Sequence, residues 1–325
     1  MIEIIEDLPE QIKEAVEIGS SLDFEWKGIK NVCIGGMGGS SIGGEILLKL
    51  SEMYSKVPFT LVRDYELPQF VDKKTLMIIV SYSGNTEETI SLFHKAENKA
   101  KILCVTSNGI LEDLAKEKKL PLIIIPKGYP PRGAIAYLFF PILEVLRKSN
   151  IIKIKKENID EVVKVLSENN ETAKVWAEEV SGKVKEKLPF VYTNPLFTPV
   201  ARRWCTQLNE NSKCLAHFAP FPELDHNEIV GWENPKEILK RIFIFILRDR
   251  EEEERIKKRI EITRELIEEF AGEIMDVYAE GKSLLAKIFS LIQKGDYLSF
   301  YLAGNYRVDP LPVKRIQELK RRLAE

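Results

Sequence analysis

A turn crowded with glycines, Gly35-Gly36-Met37-Gly38-Gly39-Ser40-Ser41, follows the first apolar run of the chain and precedes a helical pattern. At such a strand-to-helix turn the backbone N–H groups and the helix dipole can bind an anion, and glycines let a ligand approach the backbone. The turn is a poor dinucleotide fingerprint, because the third glycine of G-x-G-x-x-G starting at Gly36 falls on Ser41. It is not a P-loop, since no Gly-Lys-Ser/Thr follows. We expect an anion site here, with a purely structural turn as the alternative.

Three hydroxyl side chains surround a glycine in a second feature, Ser81-Tyr82-Ser83-Gly84-Asn85-Thr86, which follows the apolar run 76–80. Ser81, Ser83 and Thr86 can donate to phosphate oxygens, and the N–H groups of the helix that follows add further donors. Neutral donors of this kind can recognise a monoester phosphate without the lysine and metal that a nucleoside triphosphate usually requires. The alternative is an ordinary helix N-cap, for which one hydroxyl would suffice.

The charge and hydropathy of the chain argue against nucleic-acid and membrane partners. Lys and Arg number 48 and Asp and Glu number 50, so the net charge of −2 leaves no excess to neutralise a phosphodiester backbone. The longest apolar stretch, residues 134–143, contains Pro141 and is shorter than the roughly 20 residues that span a bilayer. Residues 1–19 are acidic and lack the basic start and apolar core of a secretory signal. We therefore expect a cytoplasmic protein without a membrane span.

Cysteine and histidine offer little material for a metal site. The four cysteines form no C-x-x-C motif, and three histidines are too few for a credible zinc cluster. We expect no metal, no cofactor and a reducing compartment.

Alternating strand and helix patterns must position the two loops. In the first half, short β-branched runs alternate with segments whose apolar residues recur at helical spacing. The strand-like runs are NVCIGG, FTLVRDY, TLMIIVSYSG, KILCVTS and PLIIIP, and the second half adds PFVYTN, CLAHFAP, RIFIFILRD and EIMDVYAE. This alternation predicts an α/β fold with parallel sheets covered by helices on both faces. With a linker at 149–158, we predict two similar domains, 1–150 and 151–325.

The two loops together resemble the sugar isomerase (SIS) domain, whose flavodoxin-like sheet binds phosphosugars at such loops. Further matching motifs are Pro131-Arg132-Gly133-Ala134, Gln207-x-Asn209-Glu210-Asn211 and Pro222-Glu223-Leu224-Asp225-His226-Asn227-Glu228. With these, nearly the whole chain resembles the bifunctional phosphoglucose/phosphomannose isomerase family. The resemblance implies two SIS domains, a phosphorylated hexose as substrate and a homodimer. The phosphate-binding residues that it implies are Gly38, Gly39, Ser40, Ser81, Ser83 and Thr86.

The resemblance implies an aldose-ketose isomerase, which interconverts glucose 6-phosphate and mannose 6-phosphate with fructose 6-phosphate through a cis-enediol. This reaction needs a base that moves a proton between C1 and C2, an acid that opens the sugar ring and a group that stabilises the enediolate. By resemblance these are Glu210, His226 and Arg132, and His226 enters the site from the partner subunit. The alternatives are a solvated carboxylate, a structural histidine paired with Asp225 or Glu228, and an ordinary loop arginine.

A lysine near the C-terminus completes the set that the resemblance implies. The ending Asp309-Pro310-Leu311-Pro312-Val313-Lys314 and the residues after it resemble the family's ending, in which a lysine assists ring opening. We assign this role to Lys320, with Lys314 as the competitor and a solvated helix lysine as the plain alternative.

Two other functions are compatible with the phosphate loops. A phosphosugar-sensing SIS regulator would keep the loops without needing a base and a histidine, but the sequence contains no evident helix-turn-helix or other output module. An amino-sugar phosphate isomerase is the second alternative.

Overall fold

The computed structural model describes residues 1–22, 24 and 26–323, and the chain divides into two compact units. One unit is Glu6–Lys164, and the other combines Met1–Ile5 with the described residues from Val165 onward. Each unit contains one parallel sheet flanked by helices. The predicted α/β class is therefore confirmed, and each run predicted to be a strand contains one.

The described residues form strands and helices in the order that the sequence pattern predicts. The strands are β1 Asn31–Gly35, β2 Phe59–Val62, β3 Thr75–Val80, β4 Lys101–Thr106, β5 Leu122–Ile124, β6 Leu188–Thr193, β7 His217–Pro220, β8 Ile242–Arg248 and β9 Glu273–Tyr278. The α-helices are α1 Ile2–Glu6, α2 Leu8–Ser20, α3 Gly39–Tyr54, α4 Glu87–Ala96, α5 Ile110–Glu117, α6 Ile135–Lys148, α7 Lys156–Glu168, α8 Asn170–Val184, α9 Thr198–Glu210, α10 Lys236–Leu239, α11 Glu254–Ile267, α12 Leu284–Asn305 and α13 Lys314–Leu323.

The sheet of the first unit has the strand order β2-β1-β3-β4-β5, with neighbouring strands parallel. This is the doubly wound order 2-1-3-4-5 of flavodoxin-like folds. β3 lies at the centre and is buried along its whole length, which is why its sequence is continuously apolar rather than alternating. The chain leaves β1 towards one edge of the sheet and β3 towards the other, so a crevice forms between their carboxyl ends.

The apolar stretch at 134–143 lies in a buried helix of the first unit. It forms the start of α6, which packs against α2 and α3 and carries Pro141 inside the helix. Among the described residues, no helix combines the length and hydropathy of a membrane span.

The sheet of the second unit has the order β7-β6-β8-β9, again with parallel neighbours. Numbered within its own unit, this order is 2-1-3-4 and repeats the arrangement of the first sheet. The long helix α12 packs against α8 and α9. The second unit therefore has its own crevice, between the carboxyl ends of β6 and β8.

The segment between α6 and α7 packs on the first unit. Ile151, Ile152 and Ile154 are buried, and the backbone N–H of Lys153 donates to the carbonyl of Tyr54 at 2.7 Å. The ranges 1–150 and 151–325 stay a prediction for the functional domains.

Candidate active site

The two predicted anion loops meet at the crevice between β1 and β3. The glycine turn leads from β1 into α3, and the loop 81–86 leads from β3 into α4. β1 and β3 pair along 31–35 and 75–79, so the loops that follow them lie side by side. In open α/β sheets, ligands bind in the crevice outside these carboxyl ends.

The glycine turn brings the start of α3 against the segment that carries Arg132. Gly38 is exposed with φ of +52° and precedes the helix, and no side chain among the described residues caps this end. The helix N-terminus is thus available to an anion. A Cβ on Gly39 would lie 2.9 Å from the backbone nitrogen of Arg132 and from the carbonyl of Pro131. Glycine is therefore required for this approach.

Hydrogen bonds join the hydroxyl loop to the glycine turn. The backbone N–H of Tyr82 donates to Ser40 Oγ at 3.1 Å, and the fully buried Ser81 donates to Thr86 Oγ1 at 3.0 Å. Gly84 has φ of +69°, and a Cβ there would lie 1.7 Å from the carbonyl oxygen of Asn108. The loop geometry consequently depends on a glycine at 84.

Tyr82 connects this loop to the chain that leads to Arg132. Its hydroxyl donates to the carbonyl of Pro126 at 3.0 Å and accepts from the backbone N–H of Tyr129 at 2.8 Å. Arg132 follows in the 3-10 turn Pro131–Gly133 and is only 4% exposed. A buried guanidinium beside an anion loop is suited to stabilise negative oxygen atoms.

Sequence reasoning missed Arg63, which directly follows β2. Its guanidinium donates to Ser41 Oγ at 3.1 Å and pairs with Glu45, so it holds the first turns of α3 in place. The sequence signal that could have identified Arg63 is its position at the carboxyl end of a predicted strand, β2, which pairs with β1.

A buried polar stripe fixes α9, the helix that ends at Glu210. Arg203, Gln207 and Asn211 follow one another at intervals of four residues and face α12. Arg203 Nη2 lies 2.7 Å from Asp296 Oδ2, and Gln207 Nε2 donates to Asp296 Oδ1 at 2.8 Å. Asn211 Nδ2 donates to the hydroxyl of Ser299 at 2.9 Å. Most polar residues of the motif around Glu210 therefore attach α9 to α12. Glu210 itself is half-buried at the end of α9.

Glu210 lines a cavity of about 660 Å³ within the second unit. The other residues that line it are Asn209, Lys213, Cys214, Leu215, Val308, Asp309, Pro312, Val313, Lys314, Arg315 and Ile316. Lys213, Lys314 and Arg315 favour an anionic ligand. Lys320 is exposed on α13 and is not part of the lining, whereas its competitor Lys314 is.

His226 is exposed at the end of the 3-10 turn Glu223–His226, two residues before the next 3-10 turn, Glu228–Gly231. One alternative for this residue is a structural histidine that pairs with Asp225 or Glu228. Both carboxylates instead bond to other partners: Asp225 to α11, and Glu228 to Tyr192 and His217. That alternative is wrong.

Comparison with known proteins gives relatives over the full length of the chain. The chain is 44% identical over 336 residues to the bifunctional phosphoglucose/phosphomannose isomerase of Caldicellulosiruptor bescii. The aligned region covers 100% of this chain and 99% of that protein. This chain belongs to the bifunctional phosphoglucose/phosphomannose isomerase family. The model of the bacterial phospho-glucose isomerase C-terminal SIS domain matches residues 169–323. The predicted family and the isomerase interpretation are confirmed.

A second relative of this isomerase has a different name. The chain is 33% identical over 223 residues to the D-glucosamine-6-phosphate 4-epimerase of Sulfolobus acidocaldarius, which covers 68% of this chain and 70% of that protein. Among solved structures, the C-terminal domain of glucosamine-fructose-6-phosphate aminotransferase from Francisella tularensis matches with a TM-score of 0.77. That match has 16% identity and covers 95% of this chain and 97% of the other, so it shows the shared fold alone.

The second crevice of this isomerase has different chemistry from the first. Lys287 donates to Asp249 Oδ2 at 3.0 Å and lies 2.7 Å from Glu251 Oε2, while Arg248 Nε donates to Glu252 Oε1 at 2.8 Å. These acids follow β8, at the position that the hydroxyl loop occupies after β3. The cations of this crevice are thus already paired with carboxylates, and carboxylates accept hydrogen bonds but cannot donate them to a phosphate. Of the two crevices, the first has the chemistry of an anion site.

Among the described residues, His, Cys, Asp and Glu side chains form no group of three or more that could hold a metal ion. The metal-independent reaction expected from the sequence stays a prediction.

Proposed function

We propose that this isomerase interconverts glucose 6-phosphate and mannose 6-phosphate with fructose 6-phosphate. The observation that carries the proposal is the joined pair of loops at the β1–β3 crevice, in a chain whose full-length relative is named for both reactions. Phosphate binding falls to these loops, through the helix N–H groups and the hydroxyls of Ser40, Ser83 and Thr86. Gly38 and Gly39 admit the ligand to the backbone, and Ser81 orients Thr86.

Proton transfer falls to Glu210 in this proposal. The carboxylate removes the C2 proton of the aldose, which gives a cis-enediolate, and returns the proton to C1, while the proton on O2 passes to O1 to form the ketose. Glucose and mannose 6-phosphates differ only at C2 and share this intermediate, so one base serves both if rotation about C2–C3 presents either face. The positive side chains that line the cavity with Glu210 support an anionic substrate. Arg132 is assigned to the developing negative charge on oxygen.

Ring opening is assigned to His226 with assistance from Lys320, both by resemblance to the family. Because Lys314 lines the cavity with Glu210 and Lys320 does not, the two lysines need separate tests. We expect Lys320→Ala to lower kcat with a cyclic substrate and Lys314→Ala to raise KM instead. The reverse result would transfer the ring-opening role to Lys314.

A homodimer in which His226 acts in the partner subunit's site is part of the proposal. A mixture of Glu210→Gln and His226→Ala subunits tests it, because each hybrid dimer would contain one site with both functional residues. After complete exchange, roughly a quarter of wild-type activity should return. Absence of recovery in confirmed hybrids would place both residues in one subunit's site.

The central experiment supplies fructose 6-phosphate and measures glucose 6-phosphate and mannose 6-phosphate separately over time. We expect both products, with rates unchanged by EDTA. Loss of activity with EDTA and recovery with zinc would overturn the metal-independent mechanism. A cytoplasmic location and the lack of a nucleic-acid partner remain predictions beside this one.

The relationship to a glucosamine-6-phosphate epimerase gives a second candidate, a reaction on an amino-sugar phosphate. Incubation with glucosamine 6-phosphate, followed by NMR of the sugar ring, distinguishes the two. Turnover of this substrate without turnover of fructose 6-phosphate would replace the first proposal.

A further inference from the structure

The segment that carries His226 is held on both sides of the histidine. Asp225 Oδ2 accepts from Arg259 Nη1 at 3.1 Å, and Asp225 Oδ1 accepts from the hydroxyl of Thr263 at 2.9 Å. Both donors lie on α11. The residue immediately before His226 is thus attached to a helix that packs on the second unit's core through Ile260 and Ile267.

On the other side, Glu228 attaches the segment to the sheet. Its Oε1 accepts from the hydroxyl of Tyr192 on β6 at 2.6 Å, and its Oε2 lies 2.9 Å from His217 Nε2 on β7. The indole N–H of Trp232 donates to the same tyrosine hydroxyl at 3.1 Å. Burial alone would raise the pKa of Glu228, but the hydrogen bonds with His217 and Tyr192 outweigh it and lower the pKa. Glu228 is consequently an ionised carboxylate, and its hydrogen bonds with Tyr192 and His217 hold its side chain in place.

The apolar residues of the same segment fix its backbone. Phe221 and Leu224 are each 1% exposed, and Trp232 is 4% exposed, all in one core cluster with Tyr192. His226 is exposed within this buried frame, and among the described residues its ring makes no hydrogen bond or ion pair. The location of the His226 side chain therefore depends on the neighbouring residues that hold its backbone segment.

We propose that Asp225 and Glu228 are positioning residues that fix the location of His226 for ring opening, one from α11 and the other from the sheet. The inference rests on the proposed function, because it assigns His226 to catalysis. An acid or base acts only within hydrogen-bond reach of its target, and a displacement of about 1 Å can cost on the order of 10²-fold in rate. Each carboxylate therefore contributes through the histidine, without touching the substrate.

Two isosteric substitutions each release one carboxylate. Thr263→Val deletes the hydroxyl that binds Asp225. Tyr192→Phe deletes the hydroxyl that binds Glu228, together with the bond that this hydroxyl accepts from Trp232. Each should lower kcat for fructose 6-phosphate by at least about 5-fold and change KM by less than about 2-fold. Inhibition by sorbitol 6-phosphate, an acyclic phosphosugar that needs no ring opening, should be unchanged. Tyr297→Phe is the matched control, because its buried hydroxyl makes an equally short bond of 2.6 Å to Asn170 within the same unit; its kcat should be that of the wild type.

The decisive measurement repeats both substitutions in a His226→Ala background. If the carboxylates act through the histidine, neither substitution lowers kcat further there. An equal loss with and without His226 overturns the inference and indicates general destabilisation. Wild-type activity of His226→Ala itself would remove the catalytic role of the histidine, and that failure is distinguishable because it needs no second substitution. Thermal unfolding of each variant confirms that kcat refers to folded protein.

Discussion

The hydroxyl of Ser81 donates to the hydroxyl oxygen of Thr86 at 3.0 Å, across the loop between β3 and α4. With its oxygen accepting from Ser81, the threonine can direct its own proton towards a ligand in the crevice. A serine that is fully buried therefore orients a threonine that is only half-buried.

Thr86→Val removes this donor and keeps the side-chain shape. We expect KM for fructose 6-phosphate to rise about 10-fold or more, because a hydrogen bond to a charged phosphate contributes roughly 1.5–3 kcal/mol. Steady-state kinetics measures the change. Thr172→Val, at an exposed position on α8, is the control and should leave KM unaltered. If both variants bind substrate like the wild type, the loop is a helix cap and the phosphate lies elsewhere.

Gly84→Ala should damage the same loop through the backbone. The left-handed φ of +69° costs about 1–3 kcal/mol for a non-glycine residue, and the added Cβ would collide with the carbonyl of Asn108. Urea unfolding should show the lower stability, and KM should rise. Gly182→Ala should change the free energy of unfolding in the opposite direction, since Gly182 is an exposed residue of α8 with open space around it. That variant should gain about 0.5–1 kcal/mol in free energy of unfolding. Equal effects of the two substitutions would contradict the geometry.

One cysteine should react with a thiol reagent in the native protein. Cys33, Cys104 and Cys205 are buried, and burial raises the pKa of each to about 12. Cys214 is half-buried and lines the cavity with Glu210. Mass spectrometry after iodoacetamide treatment should show a single modification, absent from Cys214→Ser. Modification of any other cysteine before unfolding would be inconsistent with this burial.

The rate of that modification should be slow at neutral pH and should still increase above pH 9. Burial raises the pKa of Cys214 more than its hydrogen bond with Tyr306 lowers it. Only the thiolate reacts, so the rate follows the fraction deprotonated, which grows as the pH rises towards the elevated pKa. A plateau well below pH 9 would mean that the thiol is not shielded in this way.

Sequence patterns predicted the strands and both loops because those features depend on residues close together in the chain. The partners of Asp225 could not be predicted, since Thr263 lies 38 positions later and is brought near by the packing of α11. Spacing also could not separate Lys314 from Lys320, as both fall on α13. The stripe of Arg203, Gln207 and Asn211 was readable as a helix face, but polar residues at that spacing normally indicate exposure rather than burial.

Glu210→Gln is the test of the proton-transfer step. The amide keeps the size of the side chain but cannot accept the C2 proton, so kcat should fall by at least about 10²-fold for both substrate pairs. Inhibition by sorbitol 6-phosphate should persist, because phosphate binding is assigned to other residues. Glu171→Gln, an exposed acid on α8, is the matched control and should retain full activity. A single base requires that the glucose and mannose reactions decline together. Loss of glucose isomerisation with retention of mannose isomerisation would show that two different bases operate. The shared-enediol mechanism with Glu210 as its only base would then be wrong, although the family assignment would stand.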